Sequence, residues 1–419
     1  MSISILTVGI GVDLDTISDR AFFGMTGNAL VLLVTEPIGQ GVLFLTRTFW
    51  SLYVLELGAS LYTLGLLAFV SGLIRVLMQV PVGYLSDRVG RKSLVFWGGL
   101  IPSFAPFTYL FATRWEHLIP GVMLEAFTNI VLPARQAMFA DAIEADKRAT
   151  AFAAIHTLFS LFSTAMPIIG GLLLERSGVI QGMRVAFLFS GVVMIITGVA
   201  RGVFLRETMI LTKRPAGFSI KEKIQDMFEP VINLDTLRIV VFAAFLYSLA
   251  VGFLTNYSVV YAVDVIGLSK VQWGIVAGGM GMVGIVTRIP IGLMIDRFSR
   301  KLCILMSYAT RPILILVFTI ATNFPQVLII QMADNIFSYV QQPALEALVN
   351  DIASEERRGR AYGALNFIPG TALMIGPVLG VYIWGLFGAA WSFYVSALFS
   401  AAAAVILSVF LKEFLIVED

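Results

Sequence analysis

Apolar runs of about twenty residues, each closed by a short polar turn, follow one another along most of this chain. They fall at 28–54, 61–83, 93–113, 117–140, 150–174 and 184–205, and after a polar stretch resume at 238–263, 271–292, 302–322, 325–349, 359–384 and 388–411. A helix rising about 1.5 Å per residue crosses a hydrocarbon layer of about 30 Å in one such run. Backbone amides in hydrocarbon have to bond within the chain, which leaves helices or a closed barrel, and the short strictly alternating segments of barrel strands are missing. The pattern predicts an all-α integral membrane protein with twelve transmembrane helices. It divides the chain into a lead-in (1–27), a six-helix bundle (28–205), a central loop (206–237), a second six-helix bundle (238–411) and a tail (412–419).

Composition supports the membrane assignment. Hydrophobic residues make up 58% of the chain and charged residues 13%, against roughly a quarter charged in soluble domains. A formal charge of +2 leaves no footprint for nucleic acid, and the single cysteine, Cys303, leaves no intrachain disulfide. The start of the chain lacks a basic n-region and carries Asp13, Asp15 and Asp19, so it is expected to be a cytoplasmic lead-in rather than a cleaved signal. No GxxxxGK[ST], HExxH or GxSxG pattern occurs, which argues against ATP drive within this chain and against a membrane enzyme. No cofactor or metal is expected, since His156 alone makes no metal site.

The polar turns are not interchangeable. "GYLSDRVGRKS" at 83–93 is answered by "GLMIDRFSRKL" at 292–302, and "PARQAMFADAIEADKRATAF" from Pro133 by "PALEALVNDIASEERRGRAY" from Pro343. Asp141 thus pairs with Asp351 and Arg148 with Arg358, as a parallel duplication would have it. Most lysines and arginines of the turns lie on the side of these charged repeats, among them Arg88, Arg91, Lys92, Arg297, Arg300 and Lys301. The positive-inside rule then places the charged turns, the central stretch and both termini in the cytoplasm of a cell-membrane protein. In the central stretch Ile220, Ile224, Met227 and Phe228 recur at helical spacing, suiting a short amphipathic helix or a solvated linker.

Charges inside the runs need a reason, because each costs about 2.5 kcal/mol or more at mid-membrane. The candidates are Glu36 and Arg47 in the first run, Arg75 in the second, Glu125 in the fourth, Arg311 in the ninth and Asp334 in the tenth. Distance from the run ends couples Glu36 with Arg75, Arg47 with Glu125 and Arg311 with Asp334. These six are the candidates for a proton and substrate path, with permanent interhelical ion pairs as the alternative. Glu36 comes first as proton carrier, with Pro37 beside it to loosen the helix, and Glu125 and Asp334 follow. Gln40, Asn129, His156, Tyr247, Asn256, Tyr257, Asn335, Gln341 and Asn366 could line a polar cavity or simply join helices.

With its paired turns the sequence resembles the major facilitator superfamily. The family's signature between the second and third spans is met by Gly83, Asp87, Arg88, Gly90, Arg91 and Lys92, and echoed by Gly292, Asp296, Arg297, Arg300 and Lys301, with Ser299 in place of the second glycine. The resemblance implies two pseudo-symmetric six-helix bundles, a first span that lines the central cavity, alternating access, and a monomer working on a small solute with protons. It further implies that Asp87 approaches the start of span 11 near Arg358 to Tyr362, and Asp296 the start of span 5 near Arg148 to Phe152, latching the cytoplasmic side. Drug exporters of the superfamily are the nearest pattern, with departures: Glu125 replaces an expected glycine of span 4, no arginine precedes it, "MPIIGG" at 166–171 is a partial exporter motif, and the fuller "IGPVLG" lies at 375–380 in span 11. Antiport efflux of partly apolar compounds is the leading expectation. Import of a polar or anionic solute, with Arg47, Arg75 and Arg311 as ligands, and a lipid-translocating or receptor role remain as alternatives.

Overall fold

The computed structural model describes residues 27–128, 131–144, 147–208 and 220–411, with the side chains at 79–89, 133, 149, 220–224, 289 and 296 outside that description. Every regular element among the described residues is helical.

The first apolar run is three pieces, α1 (Asn28–Gly41), α2 (Phe44–Arg47) and α3 (Trp50–Glu56). Pro37 removes a ladder donor inside α1, and the helix gives out at Gly41, where an added Cβ would strike the Phe162 ring. Then come α4 (Leu61–Val89), α5 (Arg91–Leu100), α6 (Ala105–Leu110), α7 (Ile119–Ala126) and α8 (Leu132–Asp141). The fourth run is therefore split between α7 and α8. The 57-residue α9 (Arg148–Phe204) holds the fifth and sixth runs and breaks at Gly178, whose φ of +78° an L side chain rarely adopts.

The central stretch forms α10 (Ile220–Asn233), followed by α11 (Asp235–Leu254), the short α12 (Ser258–Val260) and a π-turn at Tyr261–Val265. After these lie α13 (Lys270–Arg297), α14 (Arg300–Thr319), α15 (Phe324–Ile352), α16 (Glu355–Phe387) and α17 (Ala389–Phe410). Eight described helical stretches are long and apolar enough to cross a membrane. The long α15 is outside that set because Gln331, Asp334, Asn335, Gln341 and Gln342 interrupt its apolar run.

The apolar core is divided unequally between the two ends. At the end away from the charged turns one cluster unites both halves of the sequence, with Phe49, Tyr53, Tyr109 and Phe187 joining Phe253, Tyr257, Tyr261 and Phe393. At the charged-turn end two clusters stand apart. One draws only on residues between Ala29 and Leu205, the other only on residues between Leu237 and Leu411.

Two helix seams close the shared end. Along α9 and α13, a Cβ on Gly274 would lie 2.5 Å from the Pro167 carbonyl oxygen, one on Gly278 2.5 Å from that of Thr164, and one on Gly171 2.6 Å from that of Lys270. Small residues at that spacing let backbones touch, as in membrane helix pairs. Along α4 and α16, Gly65 meets Pro377 and Val381, and Gly72 meets Met374. Among the described side chains the contacts lapse toward the charged turns, and Gly292 on α13 and Gly359 on α16 have open space where a side chain would be. A cleft therefore opens between the halves at the charged-turn end. α10 rests on α16, with Met227 against Gly363 and Phe228 edge-on to Phe367, so these two apolar side chains are spent on protein.

Candidate functional site: three embedded charge groups and two repeated turns

The geometry pairs four of the six embedded candidates as their depths imply. Arg47 donates through Nε and Nη2 to Glu125 Oε1 at 3.1 and 2.9 Å, and Tyr109 donates to Glu125 Oε2 at 3.2 Å. The pair is partly open, the two side chains being 41% and 30% exposed. In the second half Arg311 Nη1 contacts Asp334 at 3.0 and 3.3 Å and Ser338 at 3.3 Å. The Arg311 guanidinium lies 5.4 Å from the Tyr247 ring, which stacks on Tyr308 at 4.1 Å. Arg311 and Asp334 form part of the wall of a cavity of about 230 Å³ whose other sides include Trp273, Met280, Phe318, Gln331 and Phe393.

Glu36 and Arg75 do not meet. Glu36 sits between two arginines absent from the sequence reading, Arg135 of α8 at 2.8 Å and Arg201 of α9 at 2.9 Å. Arg201 also donates to the Thr35 hydroxyl at 3.0 Å and the Thr35 carbonyl at 2.8 Å. Both arginine side chains are almost wholly buried, at 5% and 3% exposure, and Arg135 Nε has no hydrogen-bond partner. Depth fixes one coordinate of a side chain and leaves its bearing around the helix free. Arg135 and Arg201 stand four or five residues from the ends of their runs, where an arginine reads as a topology signal, and that position hid them. Arg75 is exposed, within electrostatic range of Arg47 and Glu125.

The charged turns repeat in space as they do in sequence. Arg91 bonds Asp141, and its counterpart Arg300 reaches Asp351 at 3.5 Å. Arg148 donates to the carbonyls of Ala140 and Ile143, and Arg358 to those of Asn350 and Ala353, the same two offsets back along each chain segment. Glu207 accepts from the amides of Arg91 and Lys92 at 3.1 and 3.0 Å, an acid at the start of α5 where the helix dipole favours one. Lys301 Nζ bonds the Ser408 carbonyl at 3.1 Å.

The departure at Ser299 has a local cause. Gly90 takes φ +86° with Glu207 packed against it, whereas Ser299 has an ordinary φ of −60° and caps α14 by accepting from the Leu302 amide. Arg297 is exposed and Gly292 lies on an open face of α13. Gly83, Asp87, Arg88 and Asp296, and with them the two latch contacts, lie outside the described side chains, as does Asn129. Among the described residues no group of three His, Cys, Asp or Glu side chains could hold a metal ion.

A family model described as the major facilitator superfamily matches residues 38–310 and 240–415. The chain belongs to the major facilitator superfamily. It is 23% identical over 330 residues to the quinolone resistance protein NorA of Staphylococcus aureus (strain MSSA476), covering 78% of this chain and 82% of that one. A match to the uncharacterized MFS-type transporter MJ1560 of Methanocaldococcus jannaschii has 25% identity over 162 residues and spans only 39% of this chain and 42% of that protein. Among solved structures, a mutant of the nucleoside transporter NupG superposes with a TM-score of 0.75 at 13% identity, covering 92% of this chain and all of that one. The protein is thus a multi-pass membrane transporter with the superfamily's fold.

Proposed function

We propose that this protein is a secondary active transporter that exports small, partly apolar compounds in exchange for protons. Its twelve spans form two six-span halves, with the charged turns and both termini in the cytoplasm. The observation that carries this reading is the unequal core, one shared cluster at one end and two separate clusters at the other. Rocking the halves about an axis between the two ends would close the open cleft and part the shared end, which is alternating access. The glycine seams support it, because bare backbone surfaces can slide and part without side chains unlocking. Export is supported by the likeness to a quinolone resistance protein, and proton coupling by the embedded carboxylates Glu36, Glu125 and Asp334.

Proton carriage is assigned to Asp334 ahead of Glu36. Asp334 has a single arginine partner and a place on a cavity wall, so losing that partner costs it one contact. Glu36 is fixed by two guanidiniums, themselves tied to Thr35, and serves as an anchor between α1, α8 and α9. The Asp87 and Asp296 turns are assigned to the latch that closes the cytoplasmic side.

The test is Asp334→Asn in proteoliposomes. The variant is expected to lose transport driven by a pH gradient while keeping substrate exchange between equal pools. Gradient-driven transport at the wild-type rate would remove Asp334 from the proton path, and absence of any flux from the wild type across a solute panel would remove the transporter reading.

A further inference from the structure

We infer that the solute carried in the cleft is an organic anion, neutralised in transit by Arg75 from the first half and Arg288 from the second. The inference rests on the transporter reading and specifies its substrate class.

The charges within the membrane-depth helices do not balance. Among the described residues, Arg47, Arg75, Arg135, Arg201, Arg288 and Arg311 face Glu36, Glu125, Asp334 and, about two turns from the charged-turn end of α15, Glu346. Glu36 is held by Arg135 and Arg201, Glu125 by Arg47, and Asp334 by Arg311. Glu346 accepts from Gln342 on its own helix. Among the described residues Arg75 and Arg288 are left without a carboxylate partner, and both are exposed.

Their surroundings turn them toward the cleft. An exposed guanidinium at this depth belongs in a water-filled cavity, since hydrocarbon would charge it several kcal/mol. Arg75 stands about 21 Å along α4 from its first residue, close enough to Arg47 and Glu125 to interact with both charges. Gly72 and Val76, three residues before it and one after, are turned to Met374 and Gly370 of the other half. Arg288 lies 5.8 Å from the Tyr339 ring and interacts electrostatically with His156 of α9 in the first half. Each wall of the cleft therefore carries one cation that no described carboxylate pairs with.

Closure of the cleft makes that surplus matter. While the mouth is open, water solvates both guanidiniums. An occluded state would strip that water and enclose two like charges at reduced dielectric, which raises their cost. A carboxylate, sulfonate or phosphate bound between them removes the cost, so the loaded carrier closes and the empty one is held open. A cationic solute would add to the surplus and oppose closure.

The purified full-length protein in detergent tests this with two fluorescent probes of similar size, anionic carboxyfluorescein and cationic rhodamine 6G, read by anisotropy. Carboxyfluorescein is expected to bind, Arg75→Gln and Arg288→Gln each to weaken it about tenfold or more, and Arg75→Lys to retain most of the affinity, with thermal unfolding of all variants matching the wild type. Preferential binding of rhodamine 6G, or carboxyfluorescein binding indifferent to both glutamine variants, would overturn the inference. Added phosphatidylglycerol separates a solute from a lipid headgroup: a carboxyfluorescein signal unaffected by the lipid supports the solute, and its abolition by the lipid at equal concentration overturns it. Proteoliposome flux then tests the underlying reading alone. Arginine-dependent binding with no flux of either probe would sink the transporter reading and leave the anion site standing, whereas flux of rhodamine alone would do the reverse.

Discussion

At the scale of single residues, burial decides which of the ion pairs hold the fold together. The Arg135–Glu36–Arg201 group is nearly dry, so Glu36→Gln leaves two guanidiniums facing each other without a counter-charge, an expected loss of about 3–5 kcal/mol. Chemical denaturation of the purified variant would measure it. Arg47→Gln at the partly open Arg47–Glu125 pair is expected to change stability by less than about 1 kcal/mol, because solvent screens that pair. The two turn residues at equivalent places behave differently as well. Gly90→Ala forces a left-handed backbone onto an L residue beside Glu207 and is expected to cost about 1–2 kcal/mol. Ser299→Ala loses one cap, at about 1 kcal/mol, while Ser299→Gly costs a few tenths of that kind of energy. Differences in unfolding temperature among the three would check the order. Arg47 with Glu125 and Arg311 with Asp334 were legible from depth in the sequence; the partners of Glu36 were not, because nearness across three helices depends on how each is turned.

At the scale of elements, the charged turns and long helices follow from the residues that begin and end them. Ser269 and Gln272 form a reciprocal capping box at the start of α13, Asn323 caps α15, and glycines with positive φ stop the chain at 90, 178 and 388. The breaks inside runs were hidden in the sequence. α1 yields to α2 where the backbone meets a neighbour, with Gly41 under Phe162. α10 shows the same limit: its period was readable, but its resting place on α16, with Glu229 reaching Arg357 and Arg360 at 3.3 and 3.4 Å, was not. The α9–α13 seam gives a prediction at this scale. Gly274→Val puts a side chain where only 2.5 Å separates an added Cβ from the Pro167 carbonyl, so the seam has to part. Retained folding with lost transport is the expected result, and a solute flux assay on the reconstituted variant checks it.

For the whole molecule, the arrangement of cores leaves one end closed and the other open. Cys303 is the sole cysteine and is buried, so a Cys303→Ala background allows labelling at chosen sites. His156→Cys, exposed on the cleft side of α9, is expected to react readily with a bulky maleimide supplied from the charged-turn side. Ser163→Cys, in the seam beside Gly281, is expected to stay protected. Equal labelling of the two would mean that the halves stand apart at both ends at once, which alternating access does not allow.

The sequence by itself determined that the chain is helical and membrane-embedded, that its halves repeat, and that charge gathers at the turns of one side. Each of these depends on composition or on spacing along one line, which hydrocarbon thickness and helix pitch convert directly into structure. The tertiary structure alone decided which arginines hold Glu36, where long helices break, and which end of the cleft stands open. Those outcomes depend on the rotation and packing of helices far apart in the chain, and a one-dimensional pattern leaves both free.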